Sequence, residues 1–194
     1  MARPKEVADT EILAAARSRF LSCGTAIPIS AIAAGLGISH ATIFNRFGSK
    51  EALMIAALGP PRELSCVALL EAGPDKRPMR EQLYELAIAV ARDFTDLAEG
   101  LTLLRGAGVP PERVFGTCDA SPPGDAYNAM AGWFGRARDR GLIGPCDIPT
   151  LTTAILGALR NRSFAPQVPT ASQDQSDEPY IVNLIDLLWH GIAP

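Results

Sequence analysis

Apolar side chains recur along this chain at three- and four-residue intervals rather than at every second position, and that period predicts helices. Leu13, Ala16 and Phe20 share one face of a first helix from about Thr10 to Cys23. Acidic Asp9 and Glu11 suit its beginning and Gly24 its end. Pro28 opens a short second helix that reaches Leu36 and turns Ile29, Ile32, Ala33 and Leu36 inward. The linker Gly37-Ile38-Ser39 leads to a third helix, capped by Ser39 and running through Phe47. After Gly48-Ser49 a fourth begins at Lys50 with Leu53, Met54 and Ala57 as its stripe, and Gly59-Pro60-Pro61 breaks it.

Beyond that break the same period predicts helices from Arg62 to Ala72 and from about Met79 to Leu97, with a short further turn over Leu101 to Leu104. The proline- and glycine-rich stretch from Gly106 to Gly124 reads as loops around a brief helical piece. A helix from about Asp125 to Arg140 turns Met130, Trp133 and Phe134 toward a core, and another spans Ile148 to Phe164. Residues 165–179 form a long connector, and a last helix covers Tyr180 to about Gly191. The expectation is an all-α chain of about nine helices. Residues 6–59 form an N-terminal three-helix domain, with a helix-turn-helix at about 28–47, and residues 60–194 a helical body.

Composition agrees, since hydrophobic residues make up 47% of the 194 and are dominated by Ala and Leu rather than β-branched types. The net charge of −3 argues against a nucleic-acid partner, but its distribution reverses that. From Ile12 to Lys50 there is no Asp or Glu, while Arg17, Arg19, Arg46 and Lys50 are all cationic. Each cation that meets a phosphate releases counterions, and a carboxylate there would be repelled. No apolar run approaches the roughly 18 residues of a membrane span. The first apolar stretch is cut short by Arg17 and Arg19, unlike a secretory signal, so a cytoplasmic location is expected. Cys23, Cys66, Cys118 and Cys146 lack metal-ligand spacing and read as reduced thiols, one of which remains open as a redox sensor; no metal or cofactor is expected.

Two short helices joined by a tight glycine turn outline a helix-turn-helix, whose second helix enters the DNA major groove. On that helix Ile43 and Phe47 form an inward stripe, with Ala41 and Asn45 nearly opposite and His40 and Phe44 to the sides. Ala41 fits the groove floor or a thymine methyl and Asn45 can pair bidentately with adenine; His40 is a third base-reading candidate. Ser39, Thr42, Phe44, Arg46 and Lys50 are candidates for the sugar-phosphate backbone. Lys50 stands in the first turn of its helix, where a cation opposes the macrodipole unless a phosphate is held there.

The stretch ISAIAAGLGISHATIFNRFGSKEAL, residues 29–53, resembles the DNA-binding segment of the tetracycline-repressor (TetR) family in residue types at fixed spacing. The matching positions are Ile32-Ala33, Gly37-Ile38-Ser39, Thr42-Ile43-Phe44, Phe47, Ser49-Lys50-Glu51 and Leu53. The likeness covers roughly residues 8–58. It implies a transcriptional regulator, in most such proteins a repressor, that binds a palindromic double-stranded operator as a homodimer and responds to a small-molecule effector. Lys50 and the free amides beside it then hold the DNA backbone. Two positions depart from the family: Phe44 stands where Tyr is usual and removes a hydroxyl, and Arg46 stands where His is common.

For the effector, Leu86, Val90, Leu104, Trp133, Phe134 and Leu159 are candidate pocket residues, although such a stripe also suits an ordinary core. The last helix is apolar around most of its circumference. Ile181, Leu184, Ile185 and Leu188, with the small Ala154, Gly157 and Ala158 of the preceding helix, suggest half of a four-helix dimer interface. Two other classes are open at this level: a helical protein-binding adaptor that has lost DNA binding, and a small all-helical enzyme. The latter would rely on His190 or a cysteine, and no nucleophile motif or phosphate loop accompanies them.

Overall fold

The computed structural model describes residues 7–115, 122–164 and 177–192, and among these there are helices and no strand. The helices are α1 (Asp9–Cys23), α2 (Ile29–Leu36), α3 (His40–Phe47), α4 (Lys50–Leu58), α5 (Ser65–Ala72), α6 (Met79–Gly106), α7 (Pro111–Phe115), α8 (Pro122–Asp139), α9 (Ile148–Phe164) and α10 (Asp177–Ile192). Cys118 and most of the 165–179 connector lie outside the described residues. None of the helices described is long and apolar enough to cross a membrane.

The chain divides into two units, one of Met1–Pro60 with Leu97–Cys118 and the other of Pro61–Asp96 with Asp119–Pro194. The expected first domain ended at residue 59, and the first unit also takes in the later segment. Its core joins Ile12, Ala16 and Phe20 of α1, Ile32 and Ala33 of α2, Ile43 of α3, Leu53 and Leu58 of α4, and Leu104 of α6. The turn between α2 and α3 is closed by Gly37 in the left-handed region at φ 68, its N–H reaching Ala33 and Ala34. The Ile38 N–H adds a bond of 3.1 Å to the Ala33 carbonyl.

The second unit packs α5, α8, α9 and α10 with the Met79 end of α6 around Trp133 and Phe134, whose rings meet edge to face at 5.4 Å. Helix α5 begins at Ser65 instead of Arg62, and its N-cap, Leu64, has no side chain to offer. Asp93 of α6 takes over, accepting from the Cys66 N–H at 2.8 Å and from the Ser65 hydroxyl at 2.6 Å. Burial, with the Asp93 carboxylate beside it, pushes the Cys66 thiol up to about 12. At the other end of α5, Arg136 of α8 donates to the Leu70 carbonyl at 2.7 Å and Arg140 to that of Pro74.

Three further element boundaries depart from the sequence expectation, each for a physical reason. The predicted helix to Leu97 and the turn at Leu101–Leu104 are one 28-residue helix. Gly100 inside it marks a close approach and not a stop, because a Cβ there would lie 2.0 Å from the Leu58 carbonyl oxygen. Helix α8 begins at Pro122 rather than Asp125, and α10 at Asp177 rather than Tyr180. Prolines in a first helical turn remove N–H groups that have no partner within the helix.

Candidate nucleic-acid interface

Helix α3 is eight residues long, and Ile43 is its one fully buried side chain, with Phe47 half-buried below it. The Ser39 hydroxyl accepts from the Thr42 N–H at 3.1 Å and lies 2.9 Å from the Thr42 hydroxyl. That cap satisfies one of the donors that a helix start leaves open and sets both hydroxyls on the same end of α3. His40, Ala41, Phe44 and Asn45 are all exposed. The rings of His40 and Phe44, one turn apart, tilt against each other with centroids at 4.5 Å. The outer face of α3 is thus a small methyl and an amide beside a paired imidazole and phenyl, a surface with hydrogen-bonding capacity toward base edges.

Lys50 is half-exposed at the start of α4. The Ser49 hydroxyl caps this helix through the Ala52 N–H at 3.0 Å, and a helix start of this kind carries the positive end of the helix dipole. Glu51 is paired with Arg113 of α7 at 3.2 Å, and both border, with Thr25 and Lys50, a groove beside the α4 start. Arg113 is a cation near the candidate surface that local sequence pattern did not reveal, because it is supplied by the Leu97–Cys118 segment of the first unit.

The cations of the acid-free stretch have separate fates. Arg17 donates to the Ala57 carbonyl at 3.3 Å, at the end of α4. Arg19 is exposed on α1. Arg46 donates through one Nη1 to the Val7 carbonyl and, at 3.0 Å, to the Asp9 carboxylate. Absence of acids between Ile12 and Lys50 therefore does not mean absence of acids around α3, since folding brings Asp9 to it.

The remaining candidates fall in two places. Leu86, Val90, Trp133, Phe134 and Leu159 are all within the core of the second unit. Leu104 does not join them: it belongs to the core of the first unit, because α6 runs on past residue 97. Ile181 and Ile185, expected at an interface, are 1% and 2% exposed in the protomer's own core. Leu184 and Leu188 are half-buried and pack against the same core, and the leucine of α10 left outward is Leu187, at 75% exposure. On α9, Ala154 is exposed and Gly157 and Ala158 are half-buried. Cys23 is exposed and Cys146 half-buried. No group of three or more metal-ligating side chains converges among the described residues.

Residues 12–57 match the family model of the bacterial regulatory proteins, tetR family. Over nearly the whole chain the fold is similar to solved regulators of that kind. One is a regulator of the TetR/AcrR family from Thermobifida fusca, at 20% identity and a TM-score of 0.62, with 94% of this chain and 96% of that one covered. A TetR-family regulator from Pectobacterium atrosepticum is similar at 18% identity and a TM-score of 0.62, covering 95% and 93%. Another, from Pseudomonas syringae pv. tomato, shares 24% identity at a TM-score of 0.54, covering 96% and 99%. At such identities the likeness establishes the fold. Among curated proteins no sequence matches.

Proposed function

We propose that this chain, whose residues 12–57 match the family model of the bacterial regulatory proteins, tetR family, is a repressor that grips a palindromic operator as a homodimer and lets go when a small molecule binds. The observation that carries this reading is the exposed polar face of α3, held by the buried Ile43 and flanked by the capped start of α4 with Lys50. His40, Ala41 and Asn45 read base edges, while Ser39, Thr42, Phe44 and Lys50 meet the sugar-phosphate backbone. Phe44 at 37% exposure offers a ring but no hydroxyl, so its contribution is packing against the backbone.

Two half-sites require two copies. The apolar stripe Leu184, Leu187 and Leu188 of α10, beside Ala154, Gly157 and Ala158 of α9, supports a four-helix junction between protomers, in which small residues permit close helix approach. For the effector, the side chains Leu86, Val90, Trp133, Phe134 and Leu159 are buried, so a ligand entering there has to separate α6, α8 and α9. Helix α6 continues from the second unit into the first, which gives such a separation a covalent route to the reading unit. Induction needs only that the effector prefer the DNA-incompetent arrangement by about 1–3 kcal/mol.

Selection from a randomised duplex pool, followed by gel shift, tests the reading. A site with two-fold symmetry, bound by a dimer, is the expected result. Failure to enrich any sequence at low and at high salt would overturn it and favour a helical adaptor.

A further inference from the structure

The third helix has a polar attachment to the rest of its unit besides the apolar contacts of Ile43 and Phe47. The Arg46 guanidinium, in the last turn of α3, spans to the start of α1 and donates from a single Nη1 to the Val7 carbonyl and the Asp9 carboxylate, the latter at 3.0 Å. Val7 is 3% exposed and packs in the same core as Ile43, so the carbonyl is fixed in place. Asp9 belongs to the first turn of α1, where a carboxylate is favoured by the helix dipole in any case. Both acceptors are therefore set before any ligand arrives.

Resting on the DNA-binding reading above, we infer that Arg46 is a positioning residue and Asp9 its partner: together they strap α3 to α1 and fix the rotation of the reading helix about its own axis. Ile43 and the half-buried Phe47 hold α3 by apolar contact, and the strap adds a directional polar tie that rotation would have to break. Asn45 precedes Arg46 in the chain, so any rotation that slackens the strap moves the amide across the groove floor. A planar guanidinium resists this better than an ammonium on a flexible stem. The alternative use of Arg46, a phosphate contact, requires it to leave both acceptors and to abandon Asp9, a carboxylate 64% exposed, next to the approaching strand.

The two roles differ in salt dependence and in specificity. The test compares wild type with Arg46→Gln, Arg46→Lys, Asp9→Ala and the double variant Asp9→Ala/Arg46→Gln. Each is titrated over a salt series with the selected operator and with a scrambled duplex of the same length. As a strap, each single variant loses about tenfold in preference for operator over scrambled duplex, the scale of one displaced base contact. The double variant is no worse than Arg46→Gln alone, and all keep the wild-type salt slope, whereas Lys50→Ala lowers it by about one. Asp9→Ala is an exposed substitution that leaves the core untouched, so the inference stays testable if Arg46→Gln folds poorly.

A phosphate role gives the opposite pattern and overturns the strap. Arg46→Gln then weakens both duplexes alike with a slope lower by about one, Arg46→Lys is nearly silent, and Asp9→Ala strengthens binding. Unchanged preference in all variants also overturns it. A wild-type protein that selects no sequence sinks the reading itself and this inference with it.

Discussion

Each unit exposes a helical face, and the two faces are chemically opposite. On α3 it is His40, Ala41 and Asn45, with Lys50 at the neighbouring helix start; on α10 it is Leu187, with Leu184 and Leu188 beside it half-buried against the protomer's own core. A polar face among cations loses its water readily to phosphates and base edges, which return every hydrogen bond. An apolar face gains by losing water to another apolar face, and identical faces related by a two-fold axis complete each other. On the reading proposed above, the first face takes nucleic acid and the other a second copy of the chain.

The comparison breaks most visibly at Leu187. Replacing it with Asp removes a large apolar contact and buries a charge at the junction, an expected loss of about 3–5 kcal/mol in dimer association. Sedimentation equilibrium should show a folded monomer with little operator affinity. A variant that stays dimeric means the α10 face is covered by something else. Next in size is Ile43→Ala, at about 2–4 kcal/mol of folding stability, since its side chain is wholly buried. Denaturant unfolding measures it, and an unperturbed midpoint would remove the anchor from the account.

Much of the first unit could be read from the chain. Gly24, Pro28, Gly37, Ser39 and Ser49 punctuate short helices at their ends, and each boundary of α1 to α4 falls within a residue or so of its expected place. Local chemistry decides such boundaries. What pattern could not show depends on neighbours remote in sequence. The tie from Arg46 to Asp9 joins residues 37 apart. Local pattern splits α6 at Leu97, and nothing in it shows that Gly100 just beyond lies against the Leu58 carbonyl. On α10 Ile181, Leu184, Ile185 and Leu188 share one apolar face, and only packing shows that this face turns toward the protomer's own core and leaves Leu187 outside.

Smaller effects sharpen the contrast. Lys50→Ala should weaken every duplex alike by about 1 kcal/mol and lower the salt slope by about one. A sequence-dependent loss would make Lys50 a reader. Thr152 is 0% exposed on α9 and its hydroxyl has no hydrogen-bond partner among the described residues, so Thr152→Val should raise stability by up to about 1 kcal/mol and leave operator binding alone. A destabilised variant would point to a bond made by that hydroxyl. Least costly to the protein is thiol labelling: iodoacetamide at pH 8 should modify the exposed Cys23 and spare Cys66, whose thiol stays protonated, until the chain unfolds. Mass spectrometry of the labelled peptides decides it.

Base-by-base comparison of the duplexes selected by wild type and by Asn45→Ala reaches the central claim most directly. Wild type should return a two-fold symmetric site, and Asn45→Ala the same site with preference relaxed at one base pair in each half and about 1–3 kcal/mol of affinity lost. An identical site with undiminished preference at every position would mean that the exposed face of α3 does not read DNA.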